Sequence, residues 1–304
     1  MRLLFFLLCL LIGTTAHSQK RFFQLDEGNI WINTIGIENR QPGQPVIVLE
    51  SGLGTPMDHW DKVLDGLSQL APVVAYDRPG IGESPPIDEM PTTQNVADRL
   101  VRLLDQLQLE PPYVLVGHSM GGLYARSFAI HYPQLLAGLV FIDPADFTET
   151  QQNQRAYYEV LNWTDAKVDS LIQSFIDRRK NGRKDVPLAI KREGQVLEKM
   201  REEDFAEIIN TPLVDVPVHM LMGGRYEKPR KFWSKEYDEE ALFRSKTKYR
   251  MQRWTDVVQS VSKGMLFYSG DAGHFIHYED PELLISSIRI MLQDIELMKQ
   301  KKKN

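Results

Sequence analysis

The chain has 304 residues, of which 42% are hydrophobic, 25% charged and 10% aromatic. These values are typical of a folded globular protein and exclude a disordered, fibrous or membrane-embedded chain. The formal net charge is -5, and the lysines at 301–303 form only a short terminal tail. Because the chain lacks the positive field that contact with phosphates requires, we expect no nucleic-acid partner.

The N-terminus has the order of a secretory signal peptide. Arg2 precedes ten apolar residues, 3–12, and small residues follow before Ser18. Ten residues rise only about 15 Å as a helix, about half the thickness of a bilayer core, so no stable membrane span is expected. We expect residues 1–18 to be removed on export to the periplasm or the extracellular space. Cys9, the only cysteine, would leave with them, which excludes disulfides and cysteine nucleophiles.

Beyond this segment, strand and helix patterns alternate along the chain. Short β-branched and aromatic stretches at 22–25 and 30–36 predict two antiparallel edge strands. Continuous apolar runs predict six strands buried on both faces, at 46–49, 73–76, 113–116, 139–142, 218–222 and 265–268. Apolar residues spaced by three and four predict helices at 57–70, 93–109, 120–131 and 281–299. The predicted fold class is α/β, an eight-stranded, mostly parallel sheet with helices on both faces.

The alternation stops between about residues 145 and 210, where the chain is helical in pattern and rich in charge. We interpret this stretch as a helical lid inserted into a single domain over residues 19–304. Its aromatic side chains either line an apolar substrate pocket or pack the lid on the body; they are Tyr157, Tyr158, Trp163 and Phe175. The basic and aromatic stretch at 228–254 is interpreted as a solvated helix plus a connection, and a surface for anionic substrates or membranes is the alternative.

The strongest chemical signal is Ser119, which lies between the predicted strand 113–116 and the predicted helix 120–131. Gly117 and Gly121 flank it at two residues on each side. A serine in such a G-x-S-x-G turn sits on a strained strand-to-helix turn that exposes its hydroxyl above the sheet. The helix N-terminus favours developing negative charge at the same place. Ser119 is therefore the predicted nucleophile.

A serine hydroxyl needs a neighbouring base, and the chain has seven histidines. His274 follows the last buried strand in a loop and precedes the final helix, so it can reach over the carboxyl edge of the sheet. We predict His274 as the base in preference to the nearby His277. His118 adjoins the nucleophile and is expected to point elsewhere, and His219 lies inside an apolar strand.

The acid that orients the imidazole is less sharply specified, because either Asp or Glu at a strand end can serve. Glu227 follows the strand at 218–222 and is the predicted acid. Asp143, which follows the strand at 139–142, is the alternative, and Asp146 is a further candidate. Each of these keeps the chain order serine, acid, histidine.

Acyl transfer also needs two N–H groups to stabilise the oxyanion. The N–H of Met120, directly after the nucleophile, is predicted to be one of them. The other should come from the glycine-containing loop at 50–54, whose backbone can approach a substrate closely, and Leu53 is our choice.

Four segments together resemble the α/β-hydrolase fold family, in particular its lid-bearing single-domain hydrolases. They are VLESGLG at 48–54, YDRPGIGES at 76–84, PYVLVGHSMGG at 112–122 and DAGH at 271–274. The resemblance covers about residues 20 to 298. It implies a Ser-acid-His triad with no metal and no organic cofactor, and Ser119 in place of Asp argues against the dehalogenase and epoxide hydrolase branches. The chain departs from the family pattern at Ser51, where many members have His, and at Glu227, where Asp is commoner.

These residues predict an exported serine hydrolase that cleaves small-molecule carboxylic esters. The same triad serves amides, so a peptide or amide hydrolase similar to prolyl aminopeptidases is the second hypothesis. A ligand-binding protein that keeps the fold without turnover is the third, and a strained serine turn counts against it because a pure binder has no need of one.

Overall fold

The computed structural model describes residues 18–182, 185–229, 231 and 234–303. Residues 1–17, which make up nearly all of the predicted signal peptide, lie outside the described residues. Ser18, the last residue of that predicted segment, already belongs to the first strand.

Eight strands of the described residues form one sheet in the order β1-β2-β4-β3-β5-β6-β7-β8. Their bounds are Ser18–Leu25 for β1, Gly28–Ile35 for β2, Val46–Glu50 for β3, Val73–Tyr76 for β4, Tyr113–His118 for β5, Leu136–Ile142 for β6, Val218–Gly223 for β7 and Gly264–Ser269 for β8. The hairpin β1–β2 is antiparallel and joins β4 in the antiparallel sense, whereas β4, β3, β5, β6, β7 and β8 are mutually parallel. The predicted α/β sheet is confirmed.

Helices cover both faces of the sheet, as the apolar runs require. One face packs against α2 at Thr93–Gln106, α3 at Met120–His131 and α7 at Glu239–Gln259. The other face packs against α1 at Asp61–Ser68, α8 at Ile276–Glu279 and α9 at Pro281–Lys303. Every residue of β3, β4 and β5 is buried, because both faces of these central strands are covered.

The helix at 57–70 differs in detail from its prediction. It begins as a 3₁₀ turn at Met57–Trp60 and continues as α1. The stretch at 228–254 also differs, because α7 is not simply solvated: the side chain of Trp254 is fully buried against the sheet and that of Leu242 is buried in the insertion described next. Charged residues outnumber these apolar ones on α7, so the sequence pattern does not indicate that one side of this helix is buried.

The segment between β6 and β7 is helical, as predicted. It holds a 3₁₀ helix at Asn153–Leu161, α4 at Asp165–Asn181, α5 at Leu188–Glu202 and α6 at Ala206–Ile209. We call residues 145–210 the insertion. No helix in the described part of the chain combines the length and the apolar character needed to cross a bilayer.

Candidate active site

Ser119 lies at a sharp turn between the end of β5 and the start of α3. Its φ is 54° and its ψ is -118°, in a region that residues with a side chain rarely adopt. A Cβ at Gly117 would lie 2.4 Å from the carbonyl oxygen of Gly121, and one at Gly121 would lie 2.1 Å from that of Glu50. Side chains at these two positions would therefore prevent the turn from closing, which explains the glycines of the motif.

The backbone of Ser119 is fixed to the end of the neighbouring strand. Its N–H donates to the carbonyl oxygen of Ile142 at 3.0 Å, and its own carbonyl oxygen accepts from the N–H of Ala145 at 2.9 Å. The residues that follow β6 are thus attached to the serine turn. Because Asp143 lies between these two attachment points, its position relative to Ser119 is set by the backbone.

His274 pairs with Asp143. The Nδ1 atom of His274 lies 2.6 Å from Oδ2 of Asp143. The Asp143 side chain is only 9% exposed, and Nη2 of Arg250 lies 3.3 Å from its other oxygen. Because a carboxylate can only accept, Nδ1 carries the proton, which leaves the lone pair of a neutral imidazole on Nε2. Nε2 is the atom that a general base would use.

The structure does not bring Glu227 to His274, and the predicted acid is corrected to the alternative, Asp143. The Glu227 side chain is 48% exposed, and Oε1 lies 2.8 Å from Arg225. Arg225 also pairs with Glu279 and donates to the carbonyl oxygen of Asp271 at 2.6 Å. Glu227 therefore belongs to a surface ion cluster.

Asp146, the further candidate for the acid, is also occupied elsewhere. Its Oδ2 lies 2.5 Å from Arg253, and Oδ1 accepts from the indole N–H of Trp254 at 3.2 Å. Both partners belong to α7, so Asp146 fastens this helix to the end of β6.

His118 lies against His274 rather than away from the site. Its Nε2 donates to the carbonyl oxygen of His274 at 2.9 Å, and the centroids of the two rings are 4.7 Å apart. Burial lowers the pKa of His118 well below its usual value, so its imidazole is neutral. This contact places the histidine loop beside the serine turn. Sequence reasoning missed it, although the adjacency of His118 to Ser119 was visible.

His277 is separated from the chemistry by burial. Its ring is 1% exposed and lies on Trp60, with the ring centroids 4.4 Å apart. Burial lowers its pKa to about 3. His277 is therefore a buried packing residue of α8, and His274, in the loop before that helix, is the partly exposed histidine.

The two predicted oxyanion donors lie at the same edge of the sheet. Met120 is the first residue of α3, where an N–H has no acceptor within the helix. Leu53 follows β3 in the loop beside the serine turn, and its N–H has no acceptor among the described residues. A Cβ at Gly52 would lie 3.0 Å from Nδ1 of His118, so this loop packs closely on the residue before the nucleophile. The placement of these two residues is compatible with the predicted oxyanion pair.

The aromatic residues of the insertion pack mostly with one another. Tyr157 and Tyr158 are buried in a cluster with Val168 and Leu242. Tyr158 and Phe175 also line a cavity of about 770 Å³ within the insertion and α7. Ser119 and His274 do not line this cavity, so these aromatic side chains pack the insertion rather than enclose the serine.

Comparison with known proteins agrees with the fold. Residues 45–169 match a family model described as the alpha/beta hydrolase fold. An AB hydrolase superfamily protein of Gibberella zeae is 21% identical, covering 86% of this chain and 90% of that protein. The crystal structure of carboxylesterase CesB from Bacillus subtilis is similar with a TM-score of 0.56 and 18% identity, covering 91% of this chain and 92% of that one.

Other curated relatives match only a part of the chain. An Abhydrolase domain-containing protein of Caenorhabditis elegans is 34% identical over 139 residues, covering 42% of this chain. This chain spans 19% to 38% of the length of three such relatives, the Caenorhabditis elegans protein among them.

Proposed function

Because the chain belongs to the α/β-hydrolase fold family, we propose that it is a serine hydrolase that cleaves carboxylic esters through an acyl-enzyme. The observation that carries the proposal is the pairing of His274 with buried Asp143 beside the strained turn of Ser119. A carboxylesterase among the fold neighbours is compatible with this reaction class.

In the proposed mechanism, the Oγ atom of Ser119 attacks the ester carbonyl carbon while Nε2 of His274 accepts the hydroxyl proton. Asp143 keeps Nδ1 protonated and stabilises the imidazolium that forms. The negative oxygen of the tetrahedral intermediate accepts from the N–H groups of Leu53 and Met120. The C–O bond to the alcohol then breaks and His274 returns its proton to the leaving oxygen. Water, deprotonated by His274, then attacks the acyl carbon, the bond from that carbon to Oγ of Ser119 breaks to release the carboxylic acid, and His274 returns the proton to Oγ.

Ester cleavage is favoured over aminopeptidase activity by the state of the nearby carboxylates. An enzyme that holds a substrate amine needs a free carboxylate beside its pocket. Glu50 and Glu193, which lie next to the predicted oxyanion loop, are both paired with Arg78 at 2.6 Å. Neither is therefore available to a substrate amine.

We also propose that the protein is exported after removal of residues 1–18. The support is the sequence order of one basic residue, an apolar core and small residues. Expression of the full chain in a bacterial host, followed by N-terminal sequencing of the mature protein, tests this. A mature chain that begins at Met1 would contradict it.

The function is tested by measuring turnover of short para-nitrophenyl esters and of matched para-nitroanilides. We expect ester turnover that is lost in His274→Ala and retained in His131→Ala, a histidine at the distant end of α3. Preference for the anilides would contradict ester specificity. Absence of turnover on both substrate series by the folded protein would contradict the proposed hydrolase activity.

A further inference from the structure

Three buried charged side chains meet beneath the loop that carries Leu53. Arg78, which follows β4, is 3% exposed, while Glu50 at the end of β3 and Glu193 on α5 are each 2% exposed. Nη1 of Arg78 lies 2.6 Å from Glu50, and its Nε lies 2.6 Å from Glu193. Tyr76 donates a further hydrogen bond to Glu50. Taking three charges out of water is costly unless their geometry and hydrogen bonding are close to complete.

The same guanidinium holds the backbone of the loop. Arg78 donates from Nη1 to the carbonyl oxygen of Ser51 and from Nη2 to that of Gly52, both at 2.7 Å. The carbonyl of Gly52 and the N–H of Leu53 are the two ends of one peptide group. Because a trans peptide is planar, its C=O and N–H point in opposite directions. Fixing the Gly52 oxygen on Arg78 therefore directs the Leu53 N–H away from Arg78.

The next peptide group is held from the insertion. The N–H of Gly54 donates to Oε2 of Glu193 at 2.7 Å, while Oε1 of the same carboxylate binds Arg78. Glu193 is 139 residues further along the chain than Gly54. Both peptide groups that include Leu53 are thus anchored, one by Arg78 and the other by a side chain of α5.

We propose that Arg78 is a positioning residue that orients the Leu53 N–H toward the substrate oxyanion. Through Glu193, this orientation also depends on the docking of α5. The inference rests on the proposed serine hydrolase mechanism. The positive charge of Arg78, which donates to the Gly52 carbonyl oxygen, also polarises this peptide group. The polarisation strengthens the Leu53 N–H as a hydrogen-bond donor. The insertion then acts on the rate of the chemical step, and not only on access of the substrate.

The test uses Glu193→Ala, Glu193→Gln and the control Glu202→Gln in the full-length protein. Arg78 keeps Glu50 as its partner in both Glu193 variants, so we expect them to fold. Glu202 lies on the same helix and is 60% exposed in a pair with Lys180. Steady-state kinetics on a short para-nitrophenyl ester give kcat and KM, and a boronic acid that forms a tetrahedral adduct measures stabilisation of the oxyanion geometry.

We expect Glu193→Ala to lower kcat about 10- to 100-fold with KM within about twofold, since loss of a whole oxyanion donor costs about 100- to 1,000-fold. Boronic-acid affinity should fall in parallel. Glu193→Gln, whose amide oxygen can still accept from Gly54, should recover part of the loss. Glu202→Gln should match the wild type. The pH profile should not change, because the pair of His274 with Asp143 is not altered.

Two results would overturn the proposal while leaving the function intact. One is a wild-type kcat and boronate affinity in Glu193→Ala. The other is a loss confined to thermal stability or to KM, which would make the network purely structural. Arg78→Lys is a second variant, which keeps the charge but loses the planar fork, and it should lower kcat without changing KM. A wild-type protein that neither hydrolyses esters nor binds the boronic acid would overturn this inference and the proposed function together.

Discussion

The carboxyl edge of the sheet and the insertion place their charged residues in different ways. At the sheet edge, Glu50, Arg78 and Asp143 are all at least nine-tenths buried, and each has a partner within 3.3 Å. In the insertion, ion pairs such as Arg155 with Asp165 are largely exposed. Exposed pairs contribute little, whereas breaking a buried one leaves an uncompensated charge. Substitution of an exposed charged residue of the insertion should therefore cost little, whereas substitution of a buried one such as Glu193 should cost more.

The largest contrast is expected between the two acids. Asp143→Asn should lower ester turnover by about 10⁴-fold, because the amide can no longer hold His274 in the required tautomer. Glu227→Gln removes a carboxylate of the surface cluster and should leave turnover within about twofold. Steady-state kinetics of both purified variants measure this. A large loss in Glu227→Gln with a wild-type rate in Asp143→Asn would reverse our assignment.

The next largest effect is expected from a single methyl group added at the serine turn. The Cβ of Gly121→Ala would lie 2.1 Å from the carbonyl oxygen of Glu50, so β3 and the turn must separate. We expect a loss of about 3 kcal/mol in the free energy of unfolding, with a matching loss of activity. Gly270→Ala is the control, since its nearest neighbour would be 3.9 Å away. Equal urea midpoints for the two variants would refute the close-approach argument.

Acid should lower the free energy of unfolding of the protein because His277 is buried as a neutral imidazole. Its pKa is about 3 in the folded protein, so between about pH 6.5 and pH 3 the unfolded chain binds a proton that the folded protein does not. Stability therefore falls as pH decreases through this window, by up to about 1.4 kcal/mol per pH unit from this residue. In His277→Phe, urea unfolding should show a smaller loss between pH 7 and pH 5. His131→Gln, at a surface position, should keep the wild-type loss.

The smallest effect is expected on the surface of the insertion. Lys180 and Glu202 are both more than half exposed, and their pair at 2.7 Å is screened by water and salt. Lys180→Gln should leave both the thermal midpoint and ester turnover unchanged within error. A clear drop in the thermal midpoint would contradict this expectation, because it would show that exposed ion pairs contribute substantially to the stability of the insertion.

Much of the fold and the nucleophile follow from local patterns. Strands buried on both faces give continuous apolar runs, and the glycines at 117 and 121 mark a turn that no other residue type permits. His274 was predictable because it follows the last strand of the sheet. These features depend on neighbours in the chain or on the order of elements, and both can be read in the sequence.

The acid and the buried network could not be predicted in this way. Whether Asp143 or Glu227 reaches His274 depends on where two strand ends lie and on which carboxylate Arg225 neutralises. Arg78 and Glu193 are 115 residues apart, and Glu193 lies in a helix whose charged pattern is typical of a solvated surface. Glu193 is buried because of the way the insertion packs on the sheet edge, and a local sequence pattern cannot predict that packing.

In the proposed mechanism Ser119 is a nucleophile activated by His274 and Asp143. The most direct measurement is mass spectrometry of the protein after reaction with a fluorophosphonate, which traps an activated serine. We predict a single adduct on the peptide that contains Ser119, no adduct in Ser119→Ala, and labelling that is strongly slowed in Asp143→Asn. An adduct on another residue, or none on the folded wild-type protein, would contradict the claim.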